Sequence, residues 1–257
     1  IRRPFDAKIV YQRVFNTIKL YAKQRRLISL VADQIYEKEK NNRMMVGILS
    51  QIVEFRNGES GRHILCVNTI TRYLLKQLVR RTDKYPLSKS DITLISTASS
   101  LHDIGKIAIS DAILNKPGRL TAEEFEMIKT HSMVGANMLL DLPIEQQEAP
   151  LVKVASEICR WHHERYDGNG YPDGLKGEEI PIAAQVVALA DVYDALTSER
   201  CYKRAYSHED ALKMILEGEC GVFNPTLLLC LQEIADILKS EVMDTAPKQE
   251  TKNIQDI

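Results

Sequence analysis

Residues 181–198 read PIAAQVVALADVYDALTS. A run this apolar, without alternation and rich in alanine, reads as a helix, and Pro181 stands where a first-turn proline belongs. Asp191 interrupts the run. A carboxylate inside a strongly apolar helix is costly unless something compensates its charge. The same conflict recurs elsewhere, because imidazoles and carboxylates arrive on apolar stretches at several places along the chain.

Other helices carry start signals. Thr121 with Glu124 forms a capping box opening TAEEFEMIKTHSMVGANML, Ser207 with Asp210 resembles another, and Asn224-Pro225 opens TLLLCLQEIADILK. Between them YDGNGYPDGLKGEE is a loop by composition, and the tail DTAPKQETKNIQDI is polar and expected to fray. Helical patterns dominate, with no alternating strand and no internal repeat, so the expected class is all-α. Near the start, Val10, Val14, Ile18, Tyr21, Ile28, Val31 and Ile35 recur at intervals of three, four or seven between charged flanks. That narrow stripe suits a long helix that pairs with a second copy of itself; the competing reading is an amphipathic helix packed on its own domain.

The 257 residues fit one large domain, or one plus a fragment, on a prior of roughly 100–200 residues per domain. Hydrophobic content of 44% allows a sizeable core, and a net charge of -1 argues against capturing nucleic acid or an acidic membrane through bulk charge. Five cysteines (66, 159, 201, 220 and 230) are scattered without a CxxC, as expected of reduced thiols in the cytoplasm. No apolar run approaches the ~18 residues of a membrane span. The chain opens on Ile1 and is expected to be a piece of a longer one.

Six histidines stand at 63, 102, 131, 162, 163 and 208. His162 and His163 are adjacent, so on a helix they point about 100° apart and one apolar face cannot account for both. His102 and Asp103 end the apolar stretch ITLISTASSLHDIGK, and His131 lies inside the capped helix. Buried imidazoles and carboxylates drawn from several helices are reconciled either by a metal or by separate buried ion pairs. Spacing alone leaves both open.

Together HDIGK, ISDAILNKPGRLTAEEFEMIKTH, HHERYDGNGYPDGLKGEEIP and ALADVYDALTSERCYKR closely resemble the HD-GYP subgroup of HD-domain phosphohydrolases, over about residues 50 to 240. The resemblance implies an HD-domain helical bundle preceded by a long signalling helix. It implies two or three divalent ions, iron or manganese first, with zinc, nickel, cobalt or magnesium as alternatives. Imidazole and carboxylate without thiolate agree with that choice. The implied activity is hydrolysis of cyclic di-GMP to pGpG or GMP by a hydroxide held between metals.

Carried over residue by residue, the implied ligands are His63, His102, Asp103, His131, His162, His163 and Asp191, with Asp103 bridging. His208 is left over and is expected at the surface. Glu59, four residues before His63, is either a ligand of a third ion or a solvated loop acid. Lys106 shares a face with His102 if the helix persists that far, and is expected beside the reacting phosphate or the bridging hydroxide. Arg200 and Lys203 match phosphate-holding positions; otherwise they form a solvated basic helix end. Asp194 orients ligands or substrate, or is a helix-surface acid. Gly168, Gly170, Tyr171 and Pro172 shape a lip over the substrate, with Tyr171 a candidate substrate contact. Trp161 is expected in the core rather than as a base-stacking platform.

IRRPFDAKIVYQRVFNTIKL resembles the last loop and helix of a receiver domain, with Arg3 where a lysine is usual. The expected organisation is a receiver remnant over 1–22, a linker helix and candidate dimer coiled coil over 23–50, the catalytic domain over 51–241 and a polar tail over 242–257. Expected partners are cyclic di-GMP, a second copy through the N-terminal helix and a GGDEF-type protein at the G-Y-P lip, with no DNA and no membrane. Competing readings are a catalytically weak module that binds the dinucleotide or recruits a partner, and a hydrolase of another cyclic dinucleotide such as cyclic GMP-AMP.

Overall fold

The computed structural model describes residues 6–56, 61–198 and 205–243, and every regular element among them is helical. The helices are α1 (Ala7–Arg56), α2 (Arg62–Arg81), α3 (Lys89–Ser99), α4 (Asp111–Leu114), α5 (Ala122–Leu140), α6 (Ile144–Gln147), α7 (Pro150–Trp161), α8 (Ile182–Thr197), α9 (His208–Leu216), α10 (Pro225–Glu233) and α11 (Ala235–Met243), with 3-10 turns at Ile104–Ala108 and Gly177–Glu179. The all-α class with a long leading helix is therefore observed. The receiver-like opening IRRPF and the tail from 244 onward lie outside the described residues.

Residues 1–45 and 46–257 form two compact units. In the first, the predicted stripe lies open: Val14, Ile18, Tyr21, Ile28, Val31 and Ile35 are all exposed, and Val10 is half-buried.

The second unit is built around α2 and α8. Ile70, Leu74, Leu75 and Leu78 of α2 are fully buried, as are Ala184, Val186, Val187, Leu189 and Ala190 of α8. Residues 183–190 of α8 are buried in succession, which explains why the sequence is apolar all round rather than along one stripe. Pro181 is the N-cap of α8 rather than its first helical residue. The Thr121–Glu124 capping box is present on α5, and Asn224 caps α10 with Pro225 in its first turn. A second reciprocal box, Ser88 with Asp91, opens α3.

Two expectations are corrected here. The helix carrying the stretch before His102 stops at Ser99, so His102 and Asp103 sit in a turn and Lys106 lies in the 3-10 segment that follows. That segment packs backbone to backbone on α5: a Cβ on Gly105 would fall 1.9 Å from the His131 carbonyl oxygen and 2.5 Å from the Gly135 nitrogen. Only glycine permits so close an approach.

His208 is buried, not on the surface, and its Nδ1 hydrogen-bonds the buried Tyr193 hydroxyl. Burial holds its pKa below the ordinary histidine value, consistent with a neutral ring accepting that proton. His208→Ala is expected to leave the hydroxyl unsatisfied and cost about 1–3 kcal/mol. At roughly 2–4 °C per kcal/mol for a chain of this size, calorimetry should record a Tm lower by several degrees with metal affinity unchanged; an unaltered Tm would contradict the assignment.

Candidate metal centre

Five elements deliver the expected ligands to one place. His63 comes from the first turn of α2, His102 and Asp103 from the turn after α3, His131 from α5, His162 and His163 from the end of α7, and Asp191 from α8. Asp103 lies at the centre. Its Oδ1 stands 3.2 Å from His131 Nε2 and 3.8 Å from His162 Nε2, and its Oδ2 stands 3.2 Å from His102 Nε2. Asp191 Oδ1 lies 3.7 Å from His63 Nε2 and 3.9 Å from His102 Nε2. The rings of His162 and His163 are 4.1 Å apart, those of His131 and His163 5.0 Å, and those of His63 and His102 5.4 Å.

Two candidate metal-binding groups result: Asp103, His131, His162 and His163 in one, and His63, His102 and Asp103 in the other, with each group's ligand atoms within 4.8 Å of one another. Asp103 belongs to both. Its two oxygens face different imidazoles, the arrangement a bridging carboxylate needs.

The hydrogen bonds behind the rings fix which nitrogen points inward. Nδ1 of His102 donates to the Ser99 carbonyl at 2.8 Å, that of His131 to Ile128 at 2.6 Å, and that of His162 to Ile158 and Cys159 at 3.0 Å each. A carbonyl can only accept, so a proton sits on Nδ1, and Nε2 is the nitrogen that faces the cluster. His63 Nδ1 is held by the Asp194 carboxylate at 2.6 Å, again leaving Nε2 for the interior. Such outer partners orient metal-bound histidines. At the middle, His102 Nε2 and Asp103 Oδ1 are buried and make no hydrogen bond. Buried polar atoms left this way are expensive, and a cation between them satisfies both. The residues present therefore fit a pair of metal ions.

The electrostatics follow from crowding. Burial alone would lower His102, but the carboxylate of Asp103, aided by Asp191 and Glu54, overcomes it and raises the pKa to about 10. Burial, and after it the charge of the neighbouring His102, drives His162 down to about 3 against the opposing pull of Asp103. Burial opposes ionisation of Asp103, yet Lys106, whose Nζ is 2.7 Å from Oδ2, and His102 hold it well below the usual carboxylate range.

Of the two readings open for Asp194, the structure favours the orienting one, and it adds Glu164 and Arg165, which sequence reasoning did not single out. Asp194 is wholly buried rather than on a helix surface; besides His63 it accepts from Ser198 Oγ at 2.9 Å. Glu164 is buried, and its Oε1 accepts the N–H groups of Asp173 and Gly174 at 2.8 and 3.0 Å, tying the glycine-rich loop to the residue after His163. Its position directly after the histidine pair was the available signal. Tyr171 stacks on His163, centroids 4.6 Å apart. Trp161 is half-buried and donates from Nε1 to Asp173 at 2.8 Å, so it anchors the loop instead of filling the core. Arg165 lies over the Phe223 ring at 5.3 Å. Glu59, Arg200 and Lys203 lie outside the described residues.

Residues 25–227 match the profile of the HD domain, and the chain belongs to that family. Among curated relatives, a probable cyclic di-GMP phosphodiesterase of Vibrio cholerae is 41% identical over 200 residues, 75% of this chain and 44% of the relative. The cyclic di-GMP phosphodiesterase response regulator RpfG of Xanthomonas campestris is 37% identical over 189 residues, 74% of this chain and 47% of the relative. A 3'3'-cGAMP-specific phosphodiesterase 2 of Vibrio cholerae is 36% identical over 194 residues, 76% of this chain and 35% of the relative. The chain thus spans less than half the length of these relatives. Among solved structures, Bd1817, an HDG"Y"P protein from Bdellovibrio bacteriovorus, superposes with a TM-score of 0.53 at 18% identity, covering 77% of this chain and 69% of the other, a likeness of fold.

Proposed function

We propose that this chain is an HD-GYP-type, metal-dependent phosphodiesterase that hydrolyses cyclic di-GMP to pGpG, GMP or both. The observation that carries the reading is Asp103, one buried carboxylate shared by two groups of inward-facing imidazoles. Two divalent ions, iron or manganese first, would supply Lewis-acid polarisation of the phosphate and a water ionised near neutral pH.

The chain's own residues supply position and charge. His63, His102, His131, His162, His163 and Asp191 hold the ions with Asp103, and Glu59 is the candidate for a third. Asp194 acts through His63, fixing its tautomer, rather than by touching substrate. Lys106 places an ammonium beside Asp103, where it favours a phosphate oxygen or the attacking water. Arg200 and Lys203 are assigned the substrate phosphates, with Arg165 a further cation near Asp191 and Tyr171. Tyr171, stacked on His163, gives the lip an aromatic face for the substrate.

The similarity to a response regulator supports a receiver-type front end, with α1 as linker and seam of a homodimer in the cytoplasm. No helix among the described residues is long and apolar enough to cross a membrane. A second reading, a phosphodiesterase of 3'3'-cGAMP, is favoured by relatives of that name.

The test is incubation of anaerobically loaded iron or manganese protein with cyclic di-GMP and 3'3'-cGAMP in parallel, products separated by chromatography. Faster loss of cyclic di-GMP supports the first reading, and the reverse order the second. Both substrates intact with metals confirmed bound would leave a binding or recruiting module.

A further inference from the structure

The last residue of α1 grips the segment that follows Asp103. Arg56 donates through Nη1 to the carbonyl of Ile107 at 2.7 Å and, at 3.5 Å, to that of Lys106. Through Nη2 it donates to the carbonyl of Ile109 at 3.1 Å and to the Asp111 carboxylate at 2.7 Å. Asn115 returns a bond from Nδ2 to the Arg56 carbonyl at 2.9 Å. The Lys106 carbonyl also accepts from the Ile109 N–H at 3.0 Å. Intrahelical partners run out for the carbonyls at the end of a short helix, and a planar guanidinium can serve those of Ile107 and Ile109 at once where an ammonium cannot.

On its other side the same segment is pressed against α5, because Gly105 leaves no room for a Cβ before the His131 carbonyl. Residues 104–109 are thus held between α5 and the end of α1. The residue at one end of this clamp is Asp103, and within it is Lys106, whose Nζ meets Asp103 Oδ2 at 2.7 Å.

We infer that Arg56 is a positioning residue for the metal centre: from the end of α1 it sets the placement of segment 103–109 against α5, and so the placement of Asp103 and Lys106. A small displacement there alters both metal-binding groups, since Asp103 is common to them. The last turn of the long helix thereby gains a direct hold on the reacting centre. The effect on turnover rests on the proposed phosphodiesterase reading; the effect on segment order and metal affinity does not.

The test compares wild type, Arg56→Ala and Arg56→Lys by amide hydrogen exchange, Mn2+ titration and steady-state hydrolysis of cyclic di-GMP. Arg56→Ala is expected to speed exchange across 104–109 while α10 stays protected. It should weaken Mn2+ binding by about 10-fold, in the range of outer-shell substitutions, and lower kcat more than KM. Arg56→Lys, which keeps the charge and loses the fork, should show most of the same loss. Unchanged exchange and Mn2+ affinity in both variants would overturn the inference, as would exchange rising equally throughout 46–243, the mark of general destabilisation. Should wild type fail to hydrolyse the dinucleotide, the exchange and Mn2+ arms still decide the matter.

Discussion

Asp103→Ala is expected to abolish hydrolysis and strip both metal-binding groups at once. No other side chain in the cluster belongs to the two groups. Alanine removes the oxygen facing His131 and His162 together with the one facing His102. It also removes the carboxylate that lies 2.7 Å from Lys106 Nζ, so the centre loses negative charge where it must attract cations. Metal catalysis of this type supplies several kcal/mol of transition-state stabilisation. With about 1.4 kcal/mol per tenfold in rate, turnover should fall by about 10³-fold or more. Metal analysis after gel filtration should find little bound ion while the helical circular dichroism is retained. Full metal content with unimpaired turnover would remove Asp103 from its bridging place. His63→Ala offers the contrast: it touches one group only, so partial metal retention is expected of it and not of Asp103→Ala.

How much of this centre could be read in advance depends on how local each cause is. The Thr121–Glu124 box acts over three residues, so the start of α5 and the placement of His131 were legible. Asp191 was legible for the opposite reason, as a carboxylate in a run too apolar to be anything but buried. Asp194 has the same neighbours, yet both an orienting role and a surface position stay open for it, because one turn near a helix end can face either way. Since α8 is enclosed on more than one side, Asp191 and Asp194 can both point inward, one toward His102 and one behind His63. The stop of α3 at Ser99 has no breaker residue beside it to announce it, and the packing of Gly105 on α5 that follows is a contact between distant parts of the chain. Arg56 and its carbonyls are some fifty residues apart, and His208 is buried by Tyr193 from another helix. Periodicity carries no record of such pairings.

Removing the ions is expected to lower thermal stability substantially. The centre gathers His63, His102, Asp103, His131 and His162, all buried, from four elements. Without cations, His102 Nε2 and Asp103 Oδ1 have no hydrogen-bond partner, and burial keeps a proton off His162. Ions that bind the folded chain stabilise it by mass action, about 4 kcal/mol at a thousandfold excess over Kd. At roughly 2–4 °C per kcal/mol, anaerobic calorimetry before and after chelation should show Tm falling by about 8–16 °C and recovering when Mn2+ is restored. The Asp103→Ala variant should melt at nearly the same temperature with and without chelator, because it has little metal to lose. That comparison separates loss of bound ions from any direct action of the chelator on the protein. A wild-type Tm unmoved after complete demetallation would mean that the cluster is held by ion pairs among its own side chains, the alternative that spacing alone had left standing.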